Sequence, residues 1–235
     1  MKKIYFSFLI FLSYCSFGQN YHKFPVSNAI WSELHTWDDG FKNKHYQYGI
    51  FGDTIINTLL FHKLYIENNS VPDTIMTINN SSLIGAIRED SLKKIYFYNI
   101  SCSSVPTDSI YKLYDFSLNV GDTIKFNNHT YSFPYSYFVV DSIASVMVDK
   151  QYRKQYFFSE SDDSWIEGIG SIRSLLSTIT PYPTCYCVYE MICYKNNDTI
   201  FYVNPNYNNC YPSYSIYDVK NFTFKLGARR EKDYL

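Results

Sequence analysis

The sequence predicts an all-β protein, an antiparallel sandwich or barrel built from consecutive hairpins, with at most short helical segments. Two observations carry that expectation. Tyrosine (25 residues) and phenylalanine (18) are abundant and isoleucine is frequent, whereas long runs of Ala, Leu, Glu and Lys are missing. Aromatic and β-branched side chains suit a pleated, half-buried surface. Short apolar runs also alternate with turn residues along the whole chain. A low-GC genome would enrich Asn, Lys, Ile, Tyr and Phe together, and exposed aromatics would suit a carbohydrate-binding face, so composition alone leaves the cause of the bias open.

Taken in chain order, residues 29–37 are a short helical candidate. The run YQYGIFGDTIINTLLFHKLYIENN then reads as a hairpin ending at Gly52-Asp53, and SLIGAIREDSLKKIYFYNI as one turning at Asp90-Ser91. YKLYDFSLNVGDTIKFNN places Gly121-Asp122 at a third hairpin end, and YFVVDSIASVMVDKQYRKQYFF turns at Asp149-Lys150. Residues 172–177 are the second short helical candidate, and YEMICYKNNDTIFYVN closes the series with a turn at Asn197-Asp198. Alternation of apolar and polar positions is plain in KIYFYNI and ASVMVDK, the signature of strands with one buried face.

The first eighteen residues address the chain. Lys2 and Lys3 precede an apolar run over residues 4–12 broken only by Ser7, and Ser16 and Gly18 supply small residues before Gln19. That pattern is a secretory signal peptide over 1–18, cut after Gly18. The run is too short for a membrane span, and bulky Tyr14 stands where a lipidated Cys15 would need a small neighbour. A single all-β domain is expected over 19–211, with a C-terminal tail over 212–235 to which no structure is assigned. The product would be periplasmic, cell-surface or extracellular, with no transmembrane segment in the mature chain. Losing Lys2 and Lys3 moves the formal charge from −1 to −3, so nucleic acid is not an expected partner.

Five cysteines follow the leader, and an exported chain can oxidise them. Cys193 and Cys210 are the expected disulfide. The strand YEMICY turns at 196–198 and returns as TIFYV, which sets Cys193 opposite a residue near Phe201 or Tyr202, and NPNYNN at 204–209 can double back over the strand. Pairings of either with Cys102, Cys185 or Cys187 stay open.

Seven of the fifteen aspartates are followed by Ser or Thr and then Ile or Leu, at Thr54, Thr74, Ser91, Ser109, Thr123, Ser142 and Thr199. Asp closing a turn and a β-branched pair opening the next strand explain the pattern. It also resembles the Asp-Ser/Thr-apolar acceptor of general O-glycosylation in exported Bacteroidetes proteins, which would make the same seven hydroxyls modification sites. Thr54 and Thr123, each after Gly-Asp, are expected at exposed hairpin ends.

The segment SESDDSWIEGIGSIRSLLS, residues 159–177, gathers Glu160, Asp162, Asp163 and Glu167 around a tryptophan and a Gly-Ile-Gly. It lacks the third glycine and the Lys-Ser/Thr of a phosphate loop, the Gly-x-Ser-x-Gly of a nucleophile elbow and the spacing of a twelve-residue calcium loop. The expected reading is a structural corner in which Gly168 and Gly170 adopt conformations closed to other residues, Trp165 and Ile169 pack, and the acids face water. The five histidines show no zinc-ligand spacing and the Cys-Tyr-Cys at 185–187 is not a redox Cys-x-x-Cys. No metal, cofactor or catalytic residue is assigned.

The segments IWSELHTWDDGF, YGIFGDTIINTLLFHKLYI, GAIREDSLKKIYFY, LYDFSLNVGDTI, VVDSIASVMVDKQYRKQYFF, SWIEGIGSIRSLL and CYKNNDTIFYVNPNYNNCY, taken in this order, resemble the uncharacterised N-terminal module of Bacteroidetes secreted proteins that often carry a type IX secretion sorting domain. The resemblance covers roughly residues 30–211. The stretch after Tyr211 is shorter than that sorting domain. The resemblance implies export and no known activity. The expected function is an exported, non-catalytic surface or periplasmic module that binds a glycan or a cell-surface protein. The alternative is a secreted hydrolase whose site is assembled from loops, which a cleft with facing carboxylates or a His-acid pair would favour.

Overall fold

The computed structural model describes residues 20–36, 43–69, 76–101, 107–125, 137–159, 161–176, 178 and 188–210. Its thirteen strands are β1 (Ala29–Thr36), β2 (Asn43–Ile56), β3 (Leu59–Asn69), β4 (Ser82–Glu89), β5 (Lys94–Asn99), β6 (Ile110–Asp115), β7 (Thr123–Lys125), β8 (Tyr137–Val148), β9 (Gln151–Phe158), β10 (Ser164–Ile166), β11 (Gly170–Ser171), β12 (Val188–Asn196) and β13 (Thr199–Val203). The protein is all-β. One sheet runs in the order β13-β12-β1-β2-β3-β4-β5-β6 and the other β11-β10-β9-β8-β7. Every pairing is antiparallel, and all but β1 with β12 join strands adjacent in sequence. The two curled sheets are half-barrels made of consecutive hairpins. Each supplies large side chains to one shared core, among them Trp31, Phe97 and Tyr114 from the first and Tyr156, Phe158 and Trp165 from the second.

The turns follow the chemistry of their residues. Asp149-Lys150 and Asn197-Asp198 are two-residue hairpin connections with both residues at positive φ, the conformation that matches the twist of the flanking strands. Asp90 accepts the N–H groups of Leu92 and Lys94 at 2.8 and 3.0 Å and so closes the β4–β5 turn.

Two hairpin ends differ from expectation. The β2–β3 turn is Asn57-Thr58, with φ of 49° and 67°, while Gly52-Asp53 lies inside β2 at a register shift between Ile50 and Asp53. Gly52, at φ +74°, supplies the left-handed residue of a β-bulge. Gly121-Asp122 forms no hairpin either. It is the turn that enters β7, where Asp122 accepts the Asn119 N–H at 2.7 Å, and it links strands in different sheets.

The helical expectation at 29–37 is also overturned, because residues 29–36 are strand β1 between β12 and β2. Four consecutive buried residues, Trp31, Ser32, Glu33 and Leu34, show that both faces of this strand are covered. Covering both faces erases the period-2 pattern that marks a half-exposed strand. Residues 172–176 are bends and turns, not helix, and Ser177 lies outside the described residues.

Candidate functional site

A cleft of about 400 Å³ opens between the β12–β13 edge of the large sheet and the β8, β9 and β10 strands of the small one. Its size is that of a ligand pocket. Tyr189 and Glu190 of β12 and Tyr202 of β13 form one wall, continued by Asn204, Pro205 and Asn206. Gln155 of β9 faces them, with Arg173 and Asp162 from the loops on either side of β10–β11.

The side chains of Arg173, Asp162, Glu190, Gln155 and Asn204 are held by the protein. Arg173 Nη2 donates to Asp162 Oδ2 at 3.0 Å. The Tyr207 hydroxyl donates to Glu190 Oε2, and Gln155 Nε2 donates to Ser164 Oγ at 2.8 Å. Asn204 is tied to β12 twice, through its N–H to Ile192 O at 2.8 Å and its amide to Met191 O at 3.1 Å. Its side-chain oxygen then takes the Asn206 N–H at 3.0 Å. Burial raises the hydroxyl pKa of Tyr202 above its ordinary value. Burial first, and then the neighbouring Tyr46 and Glu33, do the same to Tyr189. Both rings therefore offer neutral faces and O–H donors over the physiological range.

The bond between Cys193 of β12 and Cys210 secures the wall loop at 204–210. Cys193 sits opposite Val203, the neighbour of Tyr202. A register shift between Tyr194 and Lys195 adds one residue to β13 and displaces the partner by one or two places. Cys102, Cys185 and Cys187 lie outside the described residues.

Behind Tyr189, a second polar cluster closes the end of the core. Buried Glu33 takes the Leu175 N–H at 2.6 Å and lies 3.1 Å from His35 Nε2. The His35 ring is flanked by Tyr46 and Tyr189, each with its centroid 4.3 Å away. A His-acid pair is thus present, yet its carboxylate also ties β1 to the turn after β11.

The corner at 164–171 is built as a joint. Trp165 is wholly buried, with its ring 4.4 Å from Phe158 and 5.1 Å from Tyr114. Gly168 has φ +73°, and a Cβ there would lie 2.8 Å from the His22 carbonyl oxygen. Gly170 has φ +105°, and its Cβ would lie 2.9 Å from the Tyr114 ring. Only glycine combines that backbone with that proximity.

The corner's acids do not all face water. Asp163 and Glu167 are buried. Asp163 accepts the Ser171 hydroxyl at 2.7 Å, and Ser171 Oγ in turn receives the N–H groups of Arg173 and Ser174. Glu167 accepts the His22 N–H at 2.9 Å. A buried carboxylate needs such donors; a hydroxyl eight residues on serves Asp163, and a backbone N–H from a distant segment serves Glu167. Asp162 is exposed and paired with Arg173, and Glu160 lies outside the described residues.

The Asp-Ser/Thr-apolar hydroxyls fall in two settings. Ser91 lies within the β4–β5 turn and Ser109, Thr123 and Thr199 follow turns at the starts of strands, whereas Thr54 and Ser142 sit beside bulges within β2 and β8. Ser91, Thr123, Ser142 and Thr199 are exposed, Thr54 and Ser109 half-buried. Thr74 lies outside the described residues. None of these hydroxyls lines the cleft.

Four of the residues that do line it, Asp162, Ile166, Ile172 and Arg173, fall in the segment 159–177 read from sequence as a corner, and the others were missed. The lining comes from β8, β9, β10, β12, β13 and the loops around them, with no fixed spacing, and for the missed residues the signal was the polar run at 204–209 beside a candidate disulfide. The chain matches no protein-family model, no curated protein and no solved structure. Among the described residues no helix is long and apolar enough to cross a membrane, and no group of three or more His, Cys, Asp or Glu residues is placed to hold a metal ion.

Proposed function

We propose that the protein is an exported, non-catalytic binding module of the Bacteroidetes secreted type that its sequence resembles, and that the seam cleft takes a glycan segment. The observation that carries this reading is the pairing of Tyr189 and Tyr202 with Gln155, Asn204, Asn206, Glu190 and Arg173 around one opening. Sugar rings offer apolar C–H faces for aromatic rings and hydroxyls for amides and carboxylates. Glu190 and Asp162 each already receive one donor, which fixes their orientation while leaving oxygen lone pairs for ligand hydroxyls. The exposed Asp-Ser/Thr hydroxyls would be acceptors for the protein's own glycosylation, away from the cleft.

A glycan array probed with the purified exported chain tests the proposal. We expect binding to a restricted set of oligosaccharides, and a loss of about tenfold or more in affinity for Tyr202→Ala, as removal of a buried contact of 1.4 kcal/mol or more would give. An array without signal, or binding unchanged by Tyr202→Ala and Asn206→Ala, rejects it.

A secreted hydrolase is the second reading, favoured by the presence of Asp162 and Glu190 in the same cleft. Release of reducing ends from the bound glycan, abolished by Glu190→Gln, would replace the binding-module reading.

A further inference from the structure

Strands β2 and β3 extend past the rest of their sheet. β1 pairs with β2 only as far as Gly49, and β4 pairs with β3 only as far as His62. Beyond these points the hairpin is a two-stranded ribbon turning at Asn57-Thr58. The eight residues TIINTLLF, 54–61, carry no charge. Ile55 stands opposite Leu60 on one face, and Ile56 opposite Leu59 on the other. Ile55 is 74% exposed, Leu60 53% and Leu59 40%, while Phe61 is buried where the ribbon joins the sheet. A ribbon that buries one face against a protein groove would be apolar on that face and polar on the other. This one exposes branched aliphatic side chains on both, which suits a medium that surrounds it.

Other turns lie at the same end. Because neighbouring strands are antiparallel throughout, the β4–β5 and β12–β13 turns point the same way as the β2–β3 tip. They carry exposed Leu92 and Ile200. The β8–β9 turn joins them: His22 Nε2 is 3.2 Å from Tyr152 O on that hairpin, and the adjacent Tyr21 hydroxyl bonds Glu89 at the end of β4. Met147 and Tyr152 flank this turn and are exposed.

We propose that the β2–β3 ribbon is a membrane-contact arm that seats Ile55, Leu59 and Leu60 in the interfacial layer of a zwitterionic lipid surface, with the neighbouring tips resting on it. The charges select the kind of lipid. Three of the four turns carry an aspartate, Asp90, Asp149 and Asp198, and Asp53 lies at the bulge four residues before the fourth, against Lys93 and Lys150. That balance repels an anionic leaflet and leaves apolar burial as the driving force. The depth is limited too. Among the described residues the outer N–H and C=O groups of the ribbon have no neighbouring strand, and such groups are not carried into the hydrocarbon.

Flotation of the full chain with phosphatidylcholine vesicles tests the arm. We expect the wild-type protein to float with the vesicles equally at low and high salt, and the triple variant Ile55→Ser, Leu59→Ser, Leu60→Ser to lose about tenfold or more of its partitioning. A Leu60→Trp variant provides a second reading, its emission shifting to the blue on addition of the same vesicles. Failure of the wild type to float, equal flotation of the triple variant, or no spectral shift overturns the proposal. Concentration-dependent self-association abolished by the triple substitution, without flotation, assigns the tip to a second copy of the chain and also overturns it.

Discussion

At the scale of single residues, polar groups in the core act as ties between segments far apart in sequence. The Trp31 indole donates to Ile169 O at 2.9 Å and the Tyr156 hydroxyl to Phe116 O at 2.8 Å, each joining one sheet to a segment beyond its own neighbours. Buried His45 carries a measurable consequence. Burial lowers its pKa from 6.5 to about 4, although a hydrogen bond with the Cys210 backbone pulls the other way and the nearby His35 adds to the lowering. The unfolded chain therefore takes up a proton between pH 6.5 and 4 that the folded chain refuses. This contribution to stability is complete above about pH 6.5, falls as the pH drops towards 4, and totals about 3 kcal/mol. Urea midpoints measured across that window should fall with acidity, and His45→Gln should flatten the fall. Parallel profiles for the two proteins would reject the assignment. Little of this was legible in the sequence. His45 has no motif around it, and its neighbour Cys210 lies 165 positions away.

At the scale of elements, local chemistry was readable and tertiary covering was not. Asp149-Lys150 and Asn197-Asp198 turn where their residues suggest, since such turns are specified within a few positions. Gly52-Asp53 has the same composition as a turn but serves a bulge, and the choice was made by Asn57-Thr58 four residues later. β1 escaped notice because packing on both faces depends on elements far away in the chain. The cleft wall belongs to this scale as well. The Cys193–Cys210 bond closes a loop with a sequence separation of 17 that includes Tyr202 and Asn204. In the chain-entropy model such a closure is worth roughly 3 kcal/mol. Replacing both cysteines by alanine should lower unfolding stability by about that amount. It should weaken the proposed glycan binding further than the stability loss explains, because Asn204 and Asn206 lose their anchor. A double variant with unchanged stability would contradict this role, and one with unchanged binding would show that the wall is held by its hydrogen bonds to β12 alone.

For the whole molecule, the question is what holds two curled sheets together when only side chains and loops span them. The extended segment at 20–28 is one answer. Tyr21 and the Phe24 N–H both bond the Glu89 carboxylate of the large sheet, at 2.5 and 2.9 Å, and the His22 N–H bonds Glu167 of the small sheet. Lys93 covers the Tyr21 ring at 4.6 Å. Between these ties Phe24 enters the core, stacked on Trp31 at 5.6 Å and beside Tyr114 at 6.2 Å. The segment is a strap, and its side chains and backbone act together. Loss of the phenyl ring opens a cavity where both sheets meet, which in well-packed cores costs about 3–5 kcal/mol. Against the 5–15 kcal/mol typical of whole domains, that is a large fraction. Phe24→Ala should therefore lower the urea midpoint sharply. It should also increase hydrogen exchange at Trp165 and Ile169 on the corner as well as at Trp31, since the strap bonds both sides. A loss below about 1 kcal/mol, within the range of surface substitutions, would show that the sheets close without the strap. Faster exchange confined to β1 would show that the strap is fastened to the large sheet only.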